Sequence, residues 1–204
     1  MNILNITVNG YQIISIIWNL TLLIIPFFLA KLIEKLWQKA KIRSWQKKIS
    51  SYFLFIIWLL FIPNTAYVIT DVRHLLNFCP ENYFRVCVEN AWMILFFFTY
   101  ALIGWLAFIY LLDQMREIIA KVKGRIVSCV FIWLIIPFIS LGVMLGLINR
   151  WNSWEAFICP GMIGSDASFY LFNFTYFKNW YIFTLFFYLF YFGGRAVLSR
   201  FKKD

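Results

Sequence analysis

The stretch FIPNTAYVITDVRHLL, residues 61–76, ends a long apolar run with an Asn, a Tyr, an Asp, an Arg and the chain's single His. If helix continues beyond Pro63, then Asn64, Tyr67, Asp71 and His74 follow at intervals of three, four and three and share one helix face. An imidazole near a carboxylate suits proton transfer close to neutral pH, with His74 as general base and Asp71 orienting it. A second stretch, LGVMLGLINRWNSWEAFICPG at residues 141–161, sets Arg150, Asn152 and Glu155 around Trp151 and Trp154. A guanidinium takes up carboxylate or phosphate through paired N–H donors, so Arg150 is expected to pair with Asp71 or to hold an anionic group. The candidate ligand-binding set is Asn64, Tyr67, Asp71, His74, Arg150, Asn152 and Glu155, with His74 and Asp71 as the catalytic pair if the protein is an enzyme.

Each of these residues also has a plainer reading. Asn64 and Tyr67 can pin helices together, Asn19 is expected to make an interhelical hydrogen bond, and an Arg flanked by Trp residues can anchor the chain at a membrane surface. Asp71 and His74 alone are too few ligands for a metal, and Cys79, Cys87, Cys129 and Cys159 form no CxxC pair. No metal or cofactor is expected, and GxSxG, P-loop and HExxH signatures are absent. A disulfide between Cys79 and Cys87 is left open, because spacing alone does not fix its geometry.

The elements that must position these groups are transmembrane. The 204 residues are 63% hydrophobic and 14% charged, with mean hydropathy +0.76, far more apolar than a soluble domain. Continuous apolar runs long enough to cross a bilayer occupy approximately residues 11–32, 51–70, 91–112, 126–148 and 180–198. The expectation is one all-α domain over residues 1–204, a polytopic transmembrane helical bundle of about five helices. No repeat or linker divides it, and the first run, which lacks a basic front end, reads as a retained helix rather than a signal peptide.

Charge supplies the orientation. Lys31, Lys35, Lys39, Lys41, Arg43, Lys47 and Lys48 crowd the first connection, Arg116, Lys121, Lys123 and Arg125 the third, and Arg195, Arg200, Lys202 and Lys203 the tail. Only Arg73, Arg85, Arg150 and Lys178 fall on the other side, so the positive-inside rule puts the amino terminus outside and the carboxyl terminus inside. The net charge of +10 is thus matched to lipid headgroups and not to nucleic acid. The segment from Lys31 to Lys48 reads as a solvated orientation signal. Pro63 is expected to kink the second helix and free carbonyls for Asn64 to meet, while Gly142 and Gly146 are spaced for close helix approach. Costly in lipid, the polar stripe should face the bundle or a wet cavity. The aromatic stretch FYLFNFTYF is expected to be re-entrant or to lie on the interface.

Three segments carry a family resemblance. WNLTLLIIPFFLA at residues 18–30, LLFIPNTAYVITDVRHL at residues 59–75 and RWNSWEAF at residues 150–157 resemble, in that order, the Trp-Asn-Leu helix, the Pro-Asn-Ala-Pro-Tyr with Thr-Asp-Leu and His, and the Arg-Trp-Asn-Ser-Trp-Asp motif of a bacterial membrane family, domain-of-unknown-function family 1361. Thr65-Ala66 stands where that family has Ala-Pro, and Glu155 where it has Asp. The resemblance implies a multi-helix protein of the bacterial plasma membrane and brings no activity with it. The functional expectation is a non-enzymatic binding, assembly or transport-component role in the lipid bilayer, as a homo-oligomer or with a membrane protein partner. The alternative is an exofacial enzyme acting on a lipid or lipid-linked phosphate.

Overall fold

The computed structural model describes residues 7–8, 11–39, 45–77 and 91–201. A short antiparallel pair, β1 (Thr7–Val8) with β2 (Tyr11–Gln12), leads into α1 (Ile13–Lys39). Then come α2 (Trp45–Phe61), α3 (Pro63–Thr70), a 3-10 segment (Asp71–Asn77), α4 (Trp92–Lys123), α5 (Arg125–Ile148), α6 (Glu155–Ile158), α7 (Pro160–Phe172) and α8 (Phe174–Phe201). Among the described residues five helical stretches are long and apolar enough to cross a membrane: Ile14–Trp37, Ile49–His74, Trp92–Lys123, Arg125–Ile148 and Phe174–Arg200. The transmembrane helical bundle expected from hydropathy is therefore present, with three boundaries clearly displaced. α1 runs on to Lys39 instead of stopping near residue 32, α4 runs on to Lys123 instead of stopping near residue 112, and the last span begins at Phe174 rather than near residue 180. The basic residues from Lys31 to Lys39 thus extend α1; residues 40–44, with Lys41 and Arg43, lie outside the described residues, as do Lys202 and Lys203 and residues 78–90 with Cys79, Cys87 and Arg85.

Lipid is as apolar as leucine, so burial of apolar surface does not by itself drive these helices together; close backbone approach and interhelical hydrogen bonds do. Glycines supply the approach. A methyl group added at Gly104 of α4 would fall 2.8 Å from Val68 Cγ1 and 3.0 Å from the Thr65 carbonyl oxygen, and one at Gly142 of α5 would fall 2.8 Å from Pro63 Cγ. α3 is thereby held between α4 and α5. The core centres on Trp58, Ile62, Phe108, Leu112, Ile136 and Ile139, all inaccessible, while Phe98, Leu134, Phe186 and Leu189 face outward where acyl chains would lie.

Prolines leave backbone groups that the bundle satisfies. Pro137 in α5 has no N–H to return to Trp133, and the Tyr188 hydroxyl of α8 donates to that carbonyl at 2.6 Å. Trp180 Nε1 donates to the Pro137 carbonyl at 2.9 Å, so the same break fastens α8 to α5 twice. Pro63 divides α2 from α3 with only Ile62 between them, in helical geometry, so the break is a mild one. Beside the break the Thr65 backbone N–H and hydroxyl both donate to the Ile62 carbonyl, at 3.1 Å and 2.8 Å. Asn64, expected to meet freed carbonyls, instead reaches across to Ser153.

Candidate functional site

α3 forms the back of a cleft. α1 packs on α2, α3 and α4, while α5 packs on α3, α4, α7 and α8, so the two leave a gap in front of α3. The gap is a cavity of about 800 Å³. Its deep part is apolar, bounded by Leu22, Leu60, Phe138 and Leu141; its upper part carries Asn64, Tyr67, Asp71, Arg73, His74, Arg150, Asn152 and Ser153. From Ile148 at the end of α5 down to Phe138 is about 15 Å of helix rise, half of a hydrocarbon core roughly 30 Å thick. Above it, the Trp18 and Trp154 rings meet edge to face at 5.8 Å, joining α1 to the loop after α5.

The four-residue stripe does face one cavity. Gly146 makes room for the Tyr67 ring, whose atoms would come within 3.3 Å of an added methyl group. Beyond Thr70 the helix tightens to 3-10 geometry, in which residues three apart eclipse, and His74 Nε2 stands 3.7 Å from Asp71 Oδ1. His74 also stacks on Phe97 of α4, with ring centroids 6.3 Å apart. Asp71 is 1% exposed. It accepts from Asn19 Nδ2 of α1 at 2.9 Å, with the Tyr100 hydroxyl of α4 also bearing on it. The interhelical hydrogen bond expected of Asn19 is therefore made, and its acceptor is the central acid of the site.

The ion pair expected between Asp71 and Arg150 is not formed. Asp71 is already occupied by neutral donors, and Arg150 meets no carboxylate among the described residues. Arg150 has φ 62°, the left-handed region that costs a non-glycine residue roughly 1–2 kcal/mol. Its neighbours hold it there. Asp166 Oδ2 of α7 accepts from Asn149 Nδ2 at 2.8 Å and from Trp151 Nε1 at 2.7 Å, clamping the residues on both sides. Tyr170 donates in turn to Asn149 Oδ1. Burial, with Tyr176 and Asp166 nearby, pushes the Tyr170 hydroxyl up to about 12, so it remains a donor at physiological pH. Glu155 stands apart from the cavity lining. It accepts from the Asn152 backbone N–H at 2.6 Å and from Asn152 Nδ2 at 3.1 Å, while its own backbone N–H donates to the Asn152 carbonyl at 3.0 Å, and so fixes the turn into α6.

Arg73, Asn19, Ser153 and Asp166 were not among the expected site residues. Arg73 Nη2 donates to the Tyr67 hydroxyl at 2.9 Å and its guanidinium lies 5.6 Å from that ring's centre, while its Nε is buried and meets no acceptor among the described residues. Ser153 accepts from Asn64 Nδ2 at 3.1 Å, tying α3 to the loop that carries Arg150. Among the described residues no three of His, Cys, Asp and Glu converge in a way that would hold a metal ion; Cys129 and Cys159 are free thiols.

Five bilayer-length helical stretches among the described residues, with a cavity let into one end, define a multi-pass integral membrane protein. Residues 18–192 match the family described as "Protein of unknown function (DUF1361)", and the chain belongs to that family. No curated protein and no solved structure matches it.

Proposed function

We propose that this protein is a non-enzymatic binding or transport component of a bacterial plasma membrane, and that its cavity holds an amphipathic, lipid-type molecule drawn from the outer half of the bilayer. The observation that carries this is the cavity's division into an apolar lower half, at Leu22, Leu60, Phe138 and Leu141, and a polar upper half at the level of Asp71 and Arg150. A soluble polar ligand has no use for the lower half, and a purely apolar one would leave the upper groups dehydrated without partners. The family resemblance supports the bacterial setting, and the bias of Lys and Arg toward the opposite end of the bundle supports an outward-facing mouth.

An exofacial enzyme acting on lipid phosphate is the second reading, favoured by His74 beside Asp71. At 3.7 Å that pair is longer than a hydrogen bond, and the apolar lower half of the cavity, which a lipid chain fills, gives binding the preference. His74→Gln separates the two: a binding protein keeps its lipid occupancy, whereas an enzyme keeps occupancy and loses turnover.

The test fills the cavity. Ala156, half-buried on its lining, is replaced by Trp, and purified protein in detergent is given a spin-labelled phospholipid. Wild type is expected to immobilise the label and Ala156→Trp to release it, with helix content by circular dichroism unchanged. Equal immobilisation by both, or by neither, overturns the reading.

A further inference from the structure

We propose that the upper half of the cavity is a phosphate-head site, in which Arg73 and Arg150 are the two guanidinium ligands of an anionic lipid whose chains descend between α1 and α5. This rests on the lipid-binding reading above and specifies the head group that the cavity selects.

The argument begins with what the acids do. Asp71 is engaged by Asn19, Asp166 by Asn149 and Trp151, and Glu155 by Asn152. All of these donors are neutral. Among the described residues the carboxylates of Asp71, Asp166 and Glu155 are therefore engaged without consuming either arginine. The cations are in the opposite condition. Arg73 has a buried Nε that meets no acceptor among the described residues, and a buried guanidinium donor left unmade is costly. Arg150 is exposed at the cavity rim, meets no carboxylate among the described residues, and is kept in a left-handed backbone conformation by the Asp166 clamp on both its neighbours. That conformation follows from its place just past the C-cap of α5, where a left-handed residue closes a helix, and it sets the side chain at the rim.

The neighbouring groups fit a phosphate ester. Asn152 and Ser153 add neutral polar groups beside Arg150, and a guanidinium pairs with two phosphate oxygens through parallel N–H donors. Asp71 sets a limit on the pose: the phosphate sits toward Arg150 and Arg73, away from the Asp71 carboxylate, which Asn19 and the 1% exposure of Asp71 shield from it. Below the head, the gap in front of α3 continues past Leu141 and Phe138, about half the depth of the hydrocarbon. Chains reach it laterally, because α1 and α5 each pack on α3 and α4, and the cleft lies between them.

The experiment compares heads on a fixed pair of tails. Spin-labelled phosphatidic acid, phosphatidylglycerol and diacylglycerol with the same acyl chains are titrated against purified full-length protein in a neutral detergent, with inorganic phosphate as competitor. Wild type is expected to prefer the two phosphate-bearing lipids about tenfold, the equivalent of one charge-assisted hydrogen-bond set. Arg150→Gln and Arg73→Gln are expected to remove most of that preference while retaining diacylglycerol at the wild-type level. Arg150→Lys keeps the charge without the planar fork and is expected to fall between. Equal retention of all three lipids by folded wild type, with Ala156→Trp still abolishing it, overturns the head-group assignment and leaves the lipid cavity standing. No retention of any lipid overturns the cavity reading itself. Full displacement by millimolar inorganic phosphate shows a free-anion site and overturns the lipid assignment.

Discussion

The two ends of the bundle treat charge in opposite ways. At the basic end, acids meet bases: Lys121 lies 3.1 Å from Glu34 across α4 and α1, and Asp113 of α4 receives Arg195 of α8 at 3.0 Å, Arg116 at 3.6 Å and the Tyr191 hydroxyl at 2.7 Å. At the cavity end, acids meet amides, an indole and a backbone N–H, and the arginines are left without carboxylates among the described residues. The first arrangement closes on itself and holds helices together. The second keeps positive charge unspent beside an open space, which is the arrangement of a site. The difference teaches that the number of charged residues at a helix end says little; what distinguishes a scaffold from a binding surface is which partner each charge is given.

Removing the central acid of each end sharpens the contrast. Asp71→Ala has the larger expected effect, a loss of about 2–3 kcal/mol, because the hydrogen bond from Asn19 ends on a carboxylate that is 1% exposed, and truncation leaves both the amide and that buried space without a partner. Asp71→Asn, which keeps an acceptor oxygen, is expected to recover most of it. Asp113→Ala is expected to cost about 1–2 kcal/mol, since the Tyr191 hydroxyl loses its acceptor while the carboxylate is 30% exposed and the freed Arg116 and Arg195 can be solvated. Salt separates them. Screening acts on the half-exposed network, so the gap in thermal stability between wild type and Asp113→Ala should narrow from low to high salt, while that for Asp71→Ala holds constant. If both gaps shrink alike, the two ends are not chemically distinct and the comparison fails.

The bundle was legible because a bilayer demands about 20 apolar residues per helix, and nothing else in the chain could supply them. Its ends were less so. α1 continues through Leu32–Lys39 because Lys, Glu, Leu and Gln are good helix formers whatever their hydropathy, and α8 begins before Lys178 and Asn179 for the same reason that polar residues near a span's end do not unwind it. The stripe Asn64, Tyr67, Asp71, His74 was readable because the spacing of one helix face is local information, as was the Gly142 and Gly146 pair. What spacing does not carry is who answers each polar group. Asn19 meets Asp71 from 52 residues away, through the packing of α1 on α3, and that neutral partner is why Arg150 is released from the ion pair expected of it. Arg73, six residues past Tyr67, lies off an ideal α-helical stripe; the tightening to 3.0 residues per turn after Thr70 changes which side chains align.

The smallest expected effect is the most pointed, because its sign separates the two accounts of Arg150. An interface anchor contributes to stability, so replacing it should lower the melting temperature. A ligand-holding residue kept at φ 62° is a burden to the empty fold, and Arg150→Gly puts the residue best suited to that backbone in its place. Relief of left-handed strain of roughly 1–2 kcal/mol, offset by the greater freedom of glycine in the unfolded chain, leaves a net gain of about 0.5 kcal/mol. The expected outcome is a melting temperature equal to or slightly above wild type in lipid-free detergent, together with loss of the extra stability that phosphatidic acid confers on wild type. A lowered melting temperature without lipid returns Arg150 to the scaffold, and the cavity end then resembles the basic end after all.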